Sequence, residues 1–203
     1  FDIVGRGIGL VIGCATFPTW NTYPGLFAAL ATGNPVIVKP HPNAVLPAAI
    51  TVSIVRDVLS EQGLDPNLVT LALSNDPAHT QALAKSPAVA SIDFTGSNQF
   101  GRWLQDNARQ ARLYAEMAGV NSVIIESTDQ YSAMLNNLAF TLSLYSGQMC
   151  TTTQNIYIPK NGIQTDQGAK SFDQVCDDLA AAVRALVENP RVATAVLGAV
   201  CAP

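Results

Sequence analysis

Cys150 is the side chain in this sequence that is best suited to nucleophilic chemistry. It lies in the segment 146–153, Ser-Gly-Gln-Met-Cys-Thr-Thr-Thr, directly after an apolar segment that predicts a helix. Gly147 allows the chain to turn there, and the threonines favour an extended path. A cysteine in such a turn is presented to a substrate, and its thiolate can attack a carbonyl carbon. The remaining cysteines are interpreted as inert buried thiols: Cys14, Cys176 and Cys201.

A nucleophilic thiol needs a partner that takes its proton or activates a second reactant, and the sequence offers few. The two histidines are His41, which lies between two prolines, and His79, in an acidic segment that begins with proline. A Cys–His hydrolase is therefore poorly supported. Glu116 is the stronger candidate, because it lies near the end of a predicted strand, where a carboxylate beside a ligand can act as a general base.

Two further features could bind a nucleotide. Lys39 ends the strand-like segment Pro-Val-Ile-Val-Lys, which places an ammonium where a ribose hydroxyl or phosphate would lie, although lysines at strand ends are often only solvated. The segment 94–101, Phe-Thr-Gly-Ser-Asn-Gln-Phe-Gly, follows an apolar strand and begins a predicted helix, so its backbone amides could hold a phosphate. Its spacing is neither G-x-G-x-x-G nor a P-loop, and a simple strand-to-helix turn explains it equally well.

Alternating strand and helix patterns surround these residues. Apolar runs predict strands at 10–14, 35–39, 68–73, 89–94 and 122–125, with another at 154–159. Helical patterns lie at 44–61, with Gly63 as its C-cap, and at 77–85, 98–112, 131–145 and 171–187. This alternation predicts βαβ units and a parallel sheet, with ligands at the carboxyl ends of the strands.

Composition restricts the function classes. The chain has 203 residues, 48% of them apolar and 13% charged, which is typical of a globular protein with a sizeable core. A net charge of -4 without a run of Lys and Arg argues against nucleic acid, and no apolar stretch is expected to reach the roughly 20 residues that a membrane helix needs. Four cysteines without a C-x-x-C pair or metal-ligand spacing favour a cytoplasmic protein without a metal. Both ends interrupt apolar segments, which indicates a truncated sequence.

Five motifs occur together in a fixed order: Trp20-Asn21, Val-Lys-Pro at 38–40, Phe-Thr-Gly-Ser at 94–97, Glu116, and Gly-Gln-Met-Cys at 147–150. In this order, and with Cys150 lying 34 positions after Glu116, the sequence resembles the aldehyde dehydrogenase superfamily along essentially its whole length. The resemblance implies a truncated α/β fold. A Rossmann-like, parallel-sheet cofactor-binding domain at residues 1–118 is followed by the start of an α/β catalytic domain at 119–203, which carries the nucleophile.

The resemblance also implies a role for each residue in aldehyde oxidation. Cys150 attacks the aldehyde to give a thiohemiacetal, whose oxyanion accepts hydrogen bonds from the Asn21 amide and the Cys150 backbone N–H. After hydride transfer to a nicotinamide, Glu116 activates the water that hydrolyses the thioester. No metal takes part. The residues implied in cofactor binding are Trp20, Lys39, His41, Gly96, Ser97 and Gly101.

Departures from the family pattern refine these expectations. Pro42 stands where the NAD-preferring pattern has a Glu that accepts from the ribose hydroxyls, so NADP is favoured over NAD, with His41 as a neighbour of its 2′-phosphate. Thr19 replaces the usual Pro before Trp20, and the loop that follows is one residue longer than is common. The loop that carries Asn21 is therefore expected to differ from that of the family.

Several details resemble the branch of the family that acts in phenylacetic acid degradation. These are Lys-Pro-His-Pro at 39–42, Glu-Met-Ala-Gly at 116–119 and the segment 162–173. The resemblance implies a CoA-linked semialdehyde as the small-molecule substrate, and a parent protein that is a homo-oligomer. The chain itself is expected to be inactive, because the family's later motifs and oligomerising strands are missing from it.

Three alternatives stay open. The first is a cysteine-dependent thioester hydrolase that uses Cys150 and Glu116 without a redox cofactor. The second is a cofactor-binding module without catalysis, against which the presence of both residues argues. The third is a CoA-acylating relative, and Glu116 argues against it because such relatives tend to lack the water-activating carboxylate.

Overall fold

The structure of the chain, a computed structural model, describes residues 2–198 and contains two compact units, the first ending at Met117 and the second beginning at Ala118. The first unit is a five-stranded parallel sheet in the spatial order β3-β2-β1-β4-β5. The strands are β1 (Ile8–Ile12), β2 (Val36–Lys39), β3 (Val69–Leu71), β4 (Val89–Gly96) and β5 (Arg112–Met117). The helices are α1 (Tyr23–Ala31), α2 (Val45–Glu61), α3 (Pro77–Ala84) and α4 (Asn98–Asn107). The strand order reverses between β1 and β4, and such a switch point opens a crevice at the carboxyl ends of the strands.

Strands that are apolar on both faces explain this architecture. On one face of the sheet, Leu10 and Ile12 of β1 belong to a core with Leu104 of α4. On the other face, Val11 belongs to a core with Leu26 of α1. Because successive side chains of a strand point to opposite faces, an unbroken apolar run needs a helix layer on each side. The predicted parallel sheet between helices is confirmed.

One helix prediction in this unit needs correction, and one helix was not predicted. α4 ends at Asn107 rather than at residue 112, because the chain must turn into β5, which begins at Arg112. α1 is not predicted from the sequence, since its apolar residues occur all round the helix rather than in one stripe. Gly63 follows α2 as predicted, with φ 70°, and the next amide, from Leu64, donates to the Leu59 carbonyl oxygen at 2.8 Å.

α2 is also the one membrane-like segment within the described residues. Together with the 3-10 turn before it, Pro42–Glu61 is long and apolar enough to cross a bilayer by length and composition. The expectation that no stretch has this character was wrong for this segment, because its mean hydropathy is high although Arg56 and Asp57 interrupt the apolar run. In the structure, Ala48 and Val52 are buried in the core beside the sheet. These two residues pack as in a helix that covers a sheet, whereas Leu46, Ile50 and Ile54 are exposed.

The second unit packs helices against small sheets. Its strands are β6 (Asn121–Ile124), β7 (Ser127–Thr128), β8 (Thr153–Tyr157), β9 (Ile163–Thr165) and β10 (Gly168–Lys170). Its helices are α5 (Tyr131–Ser143), α6 (Phe172–Glu188) and α7 (Pro190–Val196). β6 pairs with β8 in parallel, and the core between α5 and α6 includes Tyr131 and Val175. The predicted elements at 122–125, 131–145, 154–159 and 171–187 are confirmed, whereas β7, β9 and β10 are too short for a periodic signal.

Candidate functional site

The backbone before Cys150 has an uncommon conformation. α5 ends at Ser143, and the following turn places Tyr145 (φ 53°), Ser146 (φ 57°) and Gly147 (φ 71°) in the left-handed region. Glycine adopts this conformation freely, whereas Tyr and Ser adopt it at a free-energy cost. The turn predicted at Gly147 is present, and two non-glycine residues share it at a cost that the surrounding contacts must offset.

A tight turn then presents Cys150. The Thr152 N–H donates to the Met149 carbonyl oxygen at 3.0 Å, which makes Cys150 the second residue of a β-turn. The amide of Asn121 on β6 crosses to this turn, and its Nδ2 donates to the carbonyl oxygens of Cys150 at 2.6 Å and Thr152 at 3.2 Å. Cys150 is half-buried. The nucleophile candidate is therefore neither packed in the core nor on a loose loop.

In the first unit, the structure brings Asn21 and Glu116 together. The Asn21 amide Nδ2 donates to Glu116 Oε2 at 3.4 Å, although 95 positions separate the two residues. Glu116 is exposed near the end of β5, and Asn21 is half-buried in the turn before α1. Trp20, beside Asn21, is 75% exposed. The two side chains that the family resemblance assigns to the oxyanion and the water thus meet near the carboxyl ends of the strands.

The interpretation of the other cysteines as inert buried thiols is matched only in part. Cys14 and Cys176 are half-buried rather than fully buried, and Cys201 lies outside the described residues. The Cys14 thiol donates to Asn21 Oδ1 at 3.4 Å, so it helps to turn the amide nitrogen toward Glu116. Within residues 2–198, no three His, Cys, Asp or Glu side chains could together hold a metal ion.

Asp93 is a second carboxylate on the same face of the sheet as Glu116. The parallel register pairs Asp93 with Tyr114 and Thr95 with Glu116, so the alternation of side chains puts both carboxylates on one face. Burial raises the pKa of Asp93, and the charge of Glu116 raises it further. Sequence reasoning missed Asp93, although an acidic residue inside an apolar strand was a signal that could have identified it.

Lys39 lies at the carboxyl end of β2, as predicted, and only 8% of it is exposed. Burial lowers the pKa of its ammonium group. Across residues 2–198 the ammonium has no salt bridge or hydrogen bond to another side chain or carbonyl. Because buried charges in proteins are normally paired, this lysine is suited to hold an anionic or hydroxyl-bearing ligand.

A cavity of about 470 Å³ opens beside Lys39. His79 and Ser74 line it, and Ser74 Oγ lies 2.9 Å from His79 Nδ1. Thr80 and Ser86 add hydroxyl groups, and none of the residues that line the cavity is acidic. Its polar lining therefore suits a ligand that carries negative charge. The sequence suggests His79 only as a base for a thiol and gives no local signal that it shares a cavity with Lys39.

His41 follows Lys39 closely in the chain but does not line this cavity. Its Nδ1 accepts a hydrogen bond from the Asn43 N–H at 3.2 Å, at the start of the 3-10 turn Pro42–Ala44. Burial, and then the charge of Lys39, lower the pKa of His41, which favours the neutral form of its imidazole.

The turn between β4 and α4 contains Gly96, Ser97 and Gly101. Ser97 caps the helix, and its Oγ accepts a hydrogen bond from the Phe100 N–H at 3.3 Å. A Cβ at Gly96 would lie 2.8 Å from the Phe94 ring, and a Cβ at Gly101 would collide with the Met117 sulfur. Close packing of the helix on the sheet is therefore sufficient to explain both glycines.

Comparisons with known proteins agree on one family. The model of the aldehyde dehydrogenase family matches residues 5–202. An aldehyde dehydrogenase family 7 homolog of Caenorhabditis elegans is 30% identical over 85% of this chain and 31% of its own length. The 2-aminomuconic 6-semialdehyde dehydrogenase of a Pseudomonas species is 27% identical over 83% of this chain and 31% of its own length. The chain thus spans about a third of the length of these relatives.

Solved structures give the same result. The NAD-dependent aldehyde dehydrogenase of Burkholderia multivorans is 58% identical, with a TM-score of 0.91 over 96% of this chain and 35% of that protein. The glyceraldehyde-3-phosphate dehydrogenase of Methanocaldococcus jannaschii, solved with NADP, shares the fold at 20% identity, with a TM-score of 0.71 over 90% of this chain and 37% of that protein. With a family match over nearly all of its residues and this structural likeness, the chain belongs to the aldehyde dehydrogenase family and has the α/β fold of that family.

Proposed function

We propose that the protein oxidises an aldehyde to a carboxylic acid with NADP or NAD as the electron acceptor. The observation that carries the proposal is the contact between Asn21 and Glu116, at 3.4 Å across 95 positions of sequence. Family membership makes aldehyde oxidation the first expectation for a chain with these residues. Beside the nucleophile, this reaction needs a donor to the oxyanion and a general base. The Asn21 amide and the exposed Glu116 carboxylate support these two roles.

Cys150 is the proposed nucleophile. Its thiolate adds to the aldehyde carbonyl, which forms a C–S bond and an oxyanion. The proposed donors to that oxyanion are the Asn21 side-chain amide and the Cys150 backbone N–H, and loss of one such donor typically costs about 100- to 1000-fold in rate. Cys14 supports the role of Asn21, because its thiol occupies the amide oxygen and leaves the nitrogen as the outward group.

Glu116 is the proposed general base for the second half of the reaction. Its carboxylate removes a proton from a water molecule, whose oxygen attacks the thioester carbon while the Cys150 sulfur leaves. The exposure of Glu116 supports this role, since a carboxylate fully packed in the core could not reach water. Its presence also favours release of a free acid over transfer of the acyl group to CoA.

The cavity beside Lys39 is the proposed site for the adenosine end of the cofactor. The ammonium of Lys39, which is buried and has no ionic partner among residues 2–198, fits a group that offers ribose hydroxyls and phosphates. When bound, the cofactor supplies the acceptor for the hydride that leaves the aldehyde carbon. Trp20, His41 and the turn from Gly96 through Ser97 to Gly101 complete the proposed cofactor contacts.

NADP is favoured over NAD in this proposal. A 2′-phosphate is repelled by carboxylates, and the lining of the Lys39 cavity contains none. Pro42 stands where the NAD-preferring pattern has a Glu, and His79 lines the same cavity as Lys39. The 58% identical protein from Burkholderia multivorans is named as NAD-dependent, and the experiment below compares the two cofactors directly.

The sequence motifs at 39–42, 116–119 and 162–173 support a more specific proposal: a CoA-linked semialdehyde of phenylacetic acid degradation as the substrate. The proposed parent protein is a cytoplasmic homo-oligomer that binds this aldehyde and neither nucleic acid nor a membrane. The residues that carry the proposal in this chain are 1–118 for the cofactor and 119–203 for the nucleophile.

The decisive experiment uses the full-length protein that carries this sequence. Reduction of NADP and of NAD is followed by absorbance with a panel of aldehydes, for the wild type, Cys150→Ala and Glu116→Gln. We expect cofactor reduction by the wild type, none by Cys150→Ala, and by Glu116→Gln a single burst of reduced cofactor that stops because the thioester is not hydrolysed. Thioester cleavage that needs Cys150 without any cofactor reduction would instead establish the hydrolase.

A further inference from the structure

One side chain outside the sequence motifs, that of Asn121, makes hydrogen bonds to the turn that contains Cys150. Asn121, the first residue of β6, donates from a single nitrogen to two carbonyl oxygens, those of Cys150 at 2.6 Å and Thr152 at 3.2 Å. Both acceptors belong to the turn that contains the nucleophile candidate. The amide can make these contacts in only one orientation, because its oxygen would meet the carbonyl oxygens without a proton between them.

The turn follows a backbone segment that is unfavourable by itself, so contacts from other parts of the chain contribute to its geometry. The hydrogen bond from the Thr152 N–H to the Met149 carbonyl oxygen closes the turn. The side-chain amide of Gln154 also donates to the Thr152 carbonyl oxygen, at 3.3 Å. Just before the turn, Tyr145 and Ser146 are held in the left-handed region, which L-residues other than glycine adopt at a cost. A donor that reaches the turn from β6 therefore helps to keep it in one geometry.

We infer that Asn121 is a positioning residue for the nucleophile: by holding the peptide after Cys150, its amide fixes the direction of the Cys150 side chain and of its backbone N–H. The inference rests on the proposed function, in which that thiol and that N–H both act on the aldehyde carbonyl. A shift of about 1 Å in a reacting group can cost on the order of 100-fold in rate. Asn121 itself touches neither substrate nor cofactor in this role.

Two variants separate positioning from simple packing. Asn121→Asp keeps the size and shape of the side chain but, when ionised, offers no donor and repels the carbonyl oxygens. Asn121→Ala removes both the donor and the volume. If Asn121 only fills space, the isosteric variant Asn121→Asp behaves like the wild type. If it holds the turn by donation, Asn121→Asp at neutral pH is at least as impaired as Asn121→Ala.

The experiment measures kcat and KM for aldehyde oxidation, cofactor affinity by fluorescence, and thermal unfolding of the full-length protein. For Asn121→Asp we expect kcat to fall on the order of 100-fold, with KM for the aldehyde and the Kd for NADP changed less than about threefold. Asn137→Asp is the matched control, because it makes the same chemical change on the exposed side of α5. It should retain wild-type kcat. Gln154→Ala, which leaves the Cys150 contact in place, should lose less activity than either Asn121 variant.

The pH dependence supplies a readout that a packing role would not move. When protonated, the carboxyl group introduced by Asn121→Asp regains one O–H donor, and a carboxyl group that donates to a carbonyl has its pKa raised. The kcat of Asn121→Asp relative to Asn121→Ala should therefore rise as the pH is lowered from about 7.5 to about 5.5. The thiol must remain reactive toward iodoacetamide in all variants that fold.

The inference is overturned if Asn121→Asp keeps wild-type kcat, or if its kcat ratio to Asn121→Ala is independent of pH while both proteins unfold at the control's temperature. Failure of the proposed function looks different. In that case Cys150→Ala retains activity, or no aldehyde is oxidised by the wild type, whatever Asn121 does.

Discussion

Gly25, the third residue of α1, is a point where that helix lies very close to the sheet. A Cβ at this position would lie 2.7 Å from the Asp93 Cβ and 2.8 Å from its Cγ. Carbon atoms in contact prefer a separation of about 3.5–4.0 Å, so Gly25→Ala requires a shift of about 1 Å between α1 and β4. Since the Asp93 Cβ is fixed to the strand backbone, the helix must move, and Asn21 lies just before that helix.

The expected change in the free energy of unfolding of Gly25→Ala is the sum of two opposed contributions. Overpacking of this kind costs about 1–3 kcal/mol. Replacing glycine by alanine in a helix returns up to about 1 kcal/mol, and less near the first turn. We therefore expect the free energy of unfolding to fall by about 1–2 kcal/mol. A displacement of about 1 Å at Asn21 is expected to lower kcat on the order of 100-fold, because the oxyanion donor is misplaced.

The assay compares Gly25→Ala with two rescue variants in a double-mutant cycle. Asp93→Gly removes the colliding Cβ and should restore much of the lost stability and kcat. Asp93→Ala keeps that Cβ and should restore little. Gly63→Ala is the control, because an alanine at φ 70° costs about 1–2 kcal/mol without any contact near Asn21. It should lose similar stability while kcat stays unchanged.

Any of three results would refute this prediction. Gly25→Ala could leave both unfolding and kcat unchanged, which would mean that the helix tolerates the added methyl group. Asp93→Ala could rescue as well as Asp93→Gly, which would assign the effect to the carboxylate rather than to the Cβ. Gly63→Ala could lower kcat as much as Gly25→Ala, which would make lost stability the cause.

Three further predictions concern buried polar groups. The folded-state pKa of Lys39 is lowered from 10.5, so its charge destabilises the fold at neutral pH, and this penalty is relieved as the pH rises toward 10.5. Lys39→Met should therefore raise the unfolding temperature of the ligand-free protein, flatten the dependence of stability on pH, and weaken cofactor binding. The pKa of Asp93 is raised by burial and then by the charge of Glu116, so the folded state loses stability as the pH rises from 3.8 through the folded-state pKa. Asp93→Asn should therefore raise the unfolding temperature at pH 7 and leave it unchanged at pH 3. The Tyr131 hydroxyl donates to Asp178 at 2.9 Å, and its pKa is raised to about 12 by burial and then by that bond; Tyr131→Phe should lower the free energy of unfolding by about 1–3 kcal/mol and retain kcat. An unfolding temperature at pH 7 equal to that of the wild type, in any of the three variants, would contradict its prediction.

Much of the fold could be predicted from local patterns. Continuous apolar runs identified β1 to β4, because a strand buried on both faces has no polar side to interrupt the run. α1 escaped prediction for the related reason that apolar residues all round a helix give no stripe. The end of α4 was misplaced because its continuation, 108–112, has helical character until the start of β5 decides otherwise.

The family, and the kinds of side chain that carry its chemistry, could be recognised from the order of residues alone. A nucleophilic cysteine after a glycine turn, a strand-end glutamate and a strand-end lysine are local features, and their order along the chain is specific even when each alone is weak. Such features are visible in the sequence because each depends on a few neighbouring residues.

Which of these side chains meet is a property of the folded chain. The contact of Asn21 with Glu116, the approach of Asp93 to Gly25, and the bonds from Asn121 to the Cys150 turn each join residues far apart in the sequence. These contacts depend on strand register and on how closely a helix lies on its sheet. Both are set by the packing of the whole core, which no local pattern of residues encodes.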